Sequence, residues 1–75
     1  GTSTCTYAAR EGHLDALKYA RANHCPWNEE VLIEAAKNNH WIVVKWAIEN
    51  GCPIGKRCIR IFREKNYDWK LIVRK

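Results

Sequence analysis

Two amphipathic helices are indicated by the order of apolar and polar residues in the middle of the chain. Asn28 can cap a helix start by accepting a backbone amide, and the pattern predicts a helix from there to about residue 38. A second, mostly apolar helix follows over residues 41–48. Asn50-Gly51 ends this helix, because both residues tolerate a left-handed backbone, and Pro53 cannot continue it.

The same order of residues recurs with an offset of 27 positions. Ala8-Ala9 returns as Ala35-Ala36, and Cys25-Pro26 returns as Cys52-Pro53. Residues 55–75 continue at this offset in a diverged form. A fixed offset shared by several motifs is the signature of a repeat architecture. We therefore predict an all-α solenoid of about three helix–turn–helix repeats, with six short helices in antiparallel pairs and little or no sheet.

The predicted solenoid is a single domain over residues 1–75. Its units are residues 1–27, residues 28–54 and a diverged C-terminal repeat or cap over residues 55–75. The apolar positions that the units share predict the core, which comprises Leu14, Leu17, Leu32, Ala35, Ala36, Val44, Ala47, Ile59 and Leu71.

One turn geometry is predicted to be used three times. Gly12, Asn39 and Asn66 occupy the same repeat position. Glycine and asparagine are the residues that most readily adopt a left-handed backbone at a helix end. His13 and His40 follow two of these turns, and we expect their side chains to stabilise the turns by hydrogen bonds.

These motifs resemble the ankyrin repeat. Ala8-Ala9 and Gly12-His13-Leu14 are similar to the alanine pair and the turn of that family, and residues 50–53 stand where the family has an Asn-Gly-Ala-Asp loop. The Cys25-Pro26-Trp27 form of the loop resembles a divergent version found in large DNA viruses and protists. The likeness is strong over residues 3–53 and weak beyond them.

The repeat is shorter than the family's usual length of about 33 residues. The shortfall lies in the connecting loop, so we expect short loops without the family's β-hairpin. The resemblance implies a non-enzymatic scaffold that binds another protein through loop tips and the concave face of the first helices. The candidate contact residues are Thr6, Arg10, Asn28, Glu29, Ile33, Lys37, Lys56 and Arg60, with Trp69 as an exposed aromatic anchor.

The composition of the chain and the spacing of its cysteines and histidines limit the kinds of function that we expect. A chain that is 47% apolar and 28% charged is typical of a globular protein and not of a disordered one. The four cysteines and three histidines show neither Cys-x-x-Cys nor His-x-x-x-His spacing, so we predict no metal, cofactor or catalytic residue. We interpret the cysteines as free thiols in a reducing compartment and expect an intracellular, cytoplasmic protein with no membrane partner.

The positive charge is concentrated at one end of the chain. Residues 55–75 hold eight basic and two acidic residues, whereas residues 1–54 hold five basic and six acidic residues. Lys56, Arg60 and Arg63 are spaced to share one helix face. Two interpretations remain open, a polar cap on the last repeat and a surface that binds a polyanion or nucleic acid.

The other end raises a further alternative. The first predicted helix has no polar helix before it and carries Cys5, Tyr7, Ala8 and Ala9. An uncovered apolar face is a liability at the end of a solenoid. We therefore expect either that further repeats precede residue 1 or that copies of the chain stack end to end as a self-assembling structural unit.

Overall fold

The computed structural model describes residues 4–73 and contains six helices and no strand within that range. The predicted all-α class is confirmed. The helices are α1 (Thr4–Glu11), α2 (Leu14–Ala22), α3 (Glu29–Lys37), α4 (Trp41–Glu49), α5 (Lys56–Glu64) and α6 (Lys70–Val73).

The helix boundaries repeat with the offset seen in the sequence. The first residues of α2 and α4 are 27 positions apart, as are those of α3 and α5, and the last residues of the same helices show the same separation. α3 packs between α1 and α5, α2 packs on α1, and α4 packs on α3 and α6. The helices α1, α3 and α5 therefore form one row, and the other helices lie alongside it.

The predicted left-handed turns are confirmed. Gly12, Asn39 and Asn66 have φ values of 73°, 61° and 56°. After each of them, the next backbone amide donates to a carbonyl five residues earlier, which satisfies one of the free carbonyls at a helix end. These bonds are His13 N to Ala8 O (2.9 Å), His40 N to Ala35 O (2.8 Å) and Tyr67 N to Phe62 O (2.8 Å).

The histidines stabilise these turns through the main chain, which corrects the expectation about their side chains. Within the described range, the side chains of His13 and His40 make no hydrogen bond that caps α2 or α4. The ring of His40 instead lies against Gly12 of the preceding turn, where an added Cβ would stand 2.6 Å from Nδ1. A glycine is thus required at position 12 for two reasons, the left-handed backbone angle and the lack of space for a Cβ beside His40.

Most of the predicted core is confirmed, with one error. Leu17, Leu32, Ala35, Ala36, Val44 and Ala47 are buried, and Leu14 and Ile59 pack half-buried against them. Leu71 is 64% exposed, so its prediction is wrong. Ile72 packs against the core in its place, because α6 begins at Lys70 and not at position 68, where the 27-residue offset would start it.

Aromatic residues take over the packing in the last unit. Phe62 is fully buried where the earlier units have the first alanine of the pair. The Tyr67 ring packs 5.4 Å from that of Phe62 and stacks 4.4 Å from that of Trp41. The large ring of Phe62 thus fills space at the end of the molecule. In the earlier units the side chain at this position is a small alanine, and the next helix pair fills the space beside it.

None of the helices within residues 4–73 has the length and apolar character needed to cross a membrane.

Candidate functional site

A groove between α3 and α5 brings together three of the predicted contact residues. Ile33 and Lys37 lie one turn apart on α3, and Arg60 faces them from α5. We call this surface the α3–α5 groove, and its remaining lining residues are Arg57, Ile61, Glu64 and Lys65. Its floor is aliphatic, because Ile33 is 6% exposed and Ile61 is half-buried, whereas the charged side chains form the rim.

The helix pairing that forms the groove also occurs between α1 and α3, with different chemistry. There, Arg10 forms an ion pair with Glu34, with 3.7 Å between Nε and Oε1. Moving both positions by 27 residues gives Lys37 and Ile61, so an isoleucine replaces the acid in the α3–α5 groove. Among residues 4–73, no acidic oxygen lies within 4.0 Å of the Lys37 ammonium.

The end of the groove that lies at the first turns of α3 and α5 is closed by an ion-pair cluster. Arg57 on α5 donates a hydrogen bond to Glu30, and its Nε lies 3.6 Å from Glu29 Oε1. The hydrogen bond to Glu30 is the main cause that raises the pKa of Arg57, and the charge of Glu29 adds to it. The Glu29 carboxylate also packs against Gly55 at the start of α5. These acids are thus engaged in holding α3 to α5.

The other end of the groove is held by a single polar contact. Lys65 Nζ donates to Asn39 Oδ1 at 2.9 Å, across a sequence separation of 26 residues. This bond satisfies one of the three ammonium donors and leaves the positive charge without an acid.

The remaining predicted contact residues lie elsewhere. Thr6 is buried, with 8% exposure, and Arg10 is engaged by Glu34 and lies over the Tyr7 ring. Asn28 is occupied as the cap of α3, since its Oδ1 accepts the Glu30 amide at 2.9 Å. This confirms the predicted helix start and removes that side-chain oxygen from the free surface.

Trp69 does not stand out as the exposed anchor expected from the sequence. Its side chain is half-buried and packs against the core, and it lines a depression with Phe62, Tyr67 and Lys70.

A basic surface covers the side of α5 away from α3. Lys56, Arg60 and Arg63 line one depression beside Ile59, which Glu64 also lines. Arg63 and Lys70 line the next depression along, together with Asp68. We call Lys56, Arg63 and Lys70 the basic end face, and Arg60 lies on its border with the α3–α5 groove. Within the described part of the chain, none of the four has an acidic partner within 4.0 Å.

The opposite end is more polar than the sequence suggested. Cys5, Ala8 and Ala9 of α1 are all buried, although the prediction placed them on an open face. The exposed positions of α1 are Thr4, Tyr7, Arg10 and Glu11. Tyr7 is the large apolar residue among them, and its ring is partly covered by the Arg10 guanidinium, 5.7 Å from the ring centre.

All four cysteines are free thiols, as predicted, and three of them are buried. Burial raises the pKa of Cys52 from 9.0 to about 12 and also raises the pKa of Cys5 and Cys58. A raised pKa suppresses the thiolate, which is the reactive form. Among the described residues, no three histidine, cysteine or acidic side chains gather where they could hold a metal ion.

The sequence interpretation missed Ile61 and Lys65. Ile61 could have been found from the repeat alignment, since it stands where the second unit has Glu34. Lys65 carried no such signal, because its contact with Asn39 depends on how the third unit sits on the second.

No family model, no curated protein and no solved structure was found to match this chain.

Proposed function

We propose that this chain is a binding domain built as an ankyrin-like solenoid, and that it contacts another protein chain through the α3–α5 groove. The observation that carries the proposal is the convergence of Ile33, Lys37 and Arg60 on one concave surface with an aliphatic floor. Protein-binding surfaces commonly combine a desolvated apolar centre with a polar rim.

The regular recurrence of the backbone supports the solenoid. The left-handed residues Gly12, Asn39 and Asn66 are spaced by 27 positions, as are His24 and Gly51 at the ends of α2 and α4. The amides of Cys25 and Cys52 then close equivalent hydrogen bonds to Ala20 and Ala47, at 3.0 and 2.9 Å. Such regularity is what stacked, nearest-neighbour repeats require. Binding is the usual role of the curved surfaces that they form.

Selection from a random peptide library displayed on phage tests the proposal. We expect wild-type protein to enrich related sequences, and Lys37→Glu to lose them because the rim charge is reversed. Lys45→Glu on α4 is the matched control, since it makes the same charge change at an exposed position away from the groove. No enrichment, or enrichment that Lys37→Glu retains, would contradict a binding role for this groove.

A polyanion-binding role is a second candidate, favoured by the basic end face alone. Arg63 and Lys70 meet beside Trp69, and Lys56 and Arg60 extend the charge along α5. A polar outer surface is also what the last unit of a solenoid needs. Arg63→Glu discriminates the two, since it should abolish salt-sensitive binding to heparin if this face binds polyanions and leave peptide selection unchanged.

Self-assembly by end-to-end stacking has less support. It requires an apolar face on α1, but the exposed positions there are polar apart from Tyr7. Light scattering on a sizing column addresses it directly. A mass that stays constant on dilution would argue against stacking, and a mass that rises with concentration and falls on Tyr7→Glu substitution would favour it.

A further inference from the structure

We infer that the occupant of the α3–α5 groove is an acidic peptide segment that carries an aliphatic side chain. The inference rests on the proposed function and adds the chemistry of the partner. It follows from a difference in charge between the α1–α3 contact and the α3–α5 contact.

The difference is the lost acid opposite Lys37. Between α1 and α3, Arg10 is neutralised by Glu34. Between α3 and α5, the equivalent positions are Lys37 and Ile61, so the molecule supplies a cation and an aliphatic surface but no anion. A partner that brings an acidic group and an apolar group completes both contacts at once.

The other basic groups on the rim add to the positive charge of Lys37. Arg60 and Lys65 border the groove without an acid within 4.0 Å among the described residues, and Arg57 is already engaged by Glu29 and Glu30. Glu64 is the one acid on the rim, and it has no basic group within that distance in the described range. The rim therefore favours a negatively charged partner, and Glu64 limits how much negative charge is accepted.

The aliphatic floor distinguishes a peptide from a nucleic acid. Ile33 and Ile61 form the floor, and no aromatic ring lines this groove among residues 4–73. Nucleic-acid grooves that lack sequence preference rely on aromatic rings for base stacking. A leucine or isoleucine side chain flanked by carboxylates fits both the floor and the rim.

The length of the groove sets the size of the contact. Helices of nine residues, such as α3 and α5, are about 13 Å long at 1.5 Å per residue. That length holds about four residues of extended peptide. An interface this small corresponds to weak, transient binding.

Fluorescence anisotropy with defined peptides tests the inference. The probe is a labelled peptide with a central leucine pair and glutamates on both sides. We expect the full chain to bind it, to bind it less when the leucines are replaced by serines, and to show no binding when the glutamates are replaced by lysines.

Two substitutions locate the binding. Lys37→Glu should weaken it about tenfold through charge reversal. Ile61→Glu should weaken it similarly, because it restores the acid that Glu34 provides in the equivalent half-buried position. Arg63→Glu, on α5 but outside the groove, and Lys45→Glu should leave affinity within about twofold, since exposed charges contribute little. Circular dichroism confirms that each variant is folded.

The possible failures are distinguishable. Equal binding of the lysine-flanked peptide, or binding that both groove variants retain, overturns the inference. So does a groove-dependent preference for labelled oligothymidylate or for a second copy of the chain. If the defined peptides fail but phage selection yields groove-dependent sequences of other chemistry, the partner class is wrong and the proposed function stands. If both fail, the proposed function falls as well.

Discussion

At the scale of single residues, positions that look alike in the sequence meet different demands. Gly12 and Gly51 both adopt left-handed backbone angles, with φ of 73° and 87°. The space around Gly51 is open, whereas Gly12 is covered by the His40 ring. The sequence identified the backbone requirement at Gly12, but the contact with His40 crosses between units and depends on their packing.

This difference predicts two unequal alanine substitutions. Gly51→Ala should lower the free energy of unfolding by about 1 kcal/mol, the cost of a left-handed angle for a residue with a Cβ. Gly12→Ala should cost more, because its Cβ would also displace His40 from 2.6 Å. Urea unfolding of the two variants measures the difference, and equal losses would show that the histidine moves aside freely.

At the scale of elements, buried thiols connect the beginning of a unit with its end. Cys52, which follows α4, donates from Sγ to the carbonyl of Asn28 at 3.4 Å, at the start of α3. Cys5 on α1 donates to the carbonyl of Cys25 at 3.8 Å. The sequence correctly predicted free cysteines, which were interpreted as thiols in a reducing compartment. Three of the four thiols are buried, and Cys25 is half-buried.

Burial of the Cys52 thiol predicts a loss of stability in alkali. Its pKa is raised from 9.0 to about 12, so the folded state keeps a proton that the unfolded chain releases. This contribution is fully present below pH 9.0 and is lost as the pH rises through about 12.

Urea midpoints across this pH range test the alkaline effect. Cys52→Ala should lose less stability than wild type between those pH values, although it starts lower at neutral pH through the lost packing. A wild-type curve parallel to that of Cys52→Ala would contradict the pKa shift.

At the scale of the whole molecule, the sequence was most informative about repetition and least informative about the last unit. The boundaries of α2 to α5 followed the 27-residue offset, because local signals such as the left-handed turns recur with it. α6 departs from the offset, and Leu71 and Trp69 were misplaced for that reason. Nothing local specifies how Phe62 and Tyr67 repack this end of the molecule.

In the α3–α5 groove, too, some features could be predicted from the sequence and others could not. Ile33, Lys37 and Arg60 could be nominated from the repeat positions, whereas the place of Ile33 on the groove floor depends on how α3 and α5 pack. Ile33 was predicted as a contact residue on the concave face of the first helices. At 6% exposure it forms the groove floor, so Ile33→Glu should destabilise the protein, and Lys37 is the better position to probe binding.

The most direct test of the account is to map where the glutamate-flanked leucine peptide binds, using amide chemical shifts of the isotopically labelled chain. We expect the shifts to concentrate on α3 and α5 around Lys37, Arg60 and Ile61, with small changes in α2 and on the basic end face at Arg63 and Lys70. Shifts concentrated on α2, on α4 or on the basic end face would contradict the assignment of binding to the α3–α5 groove.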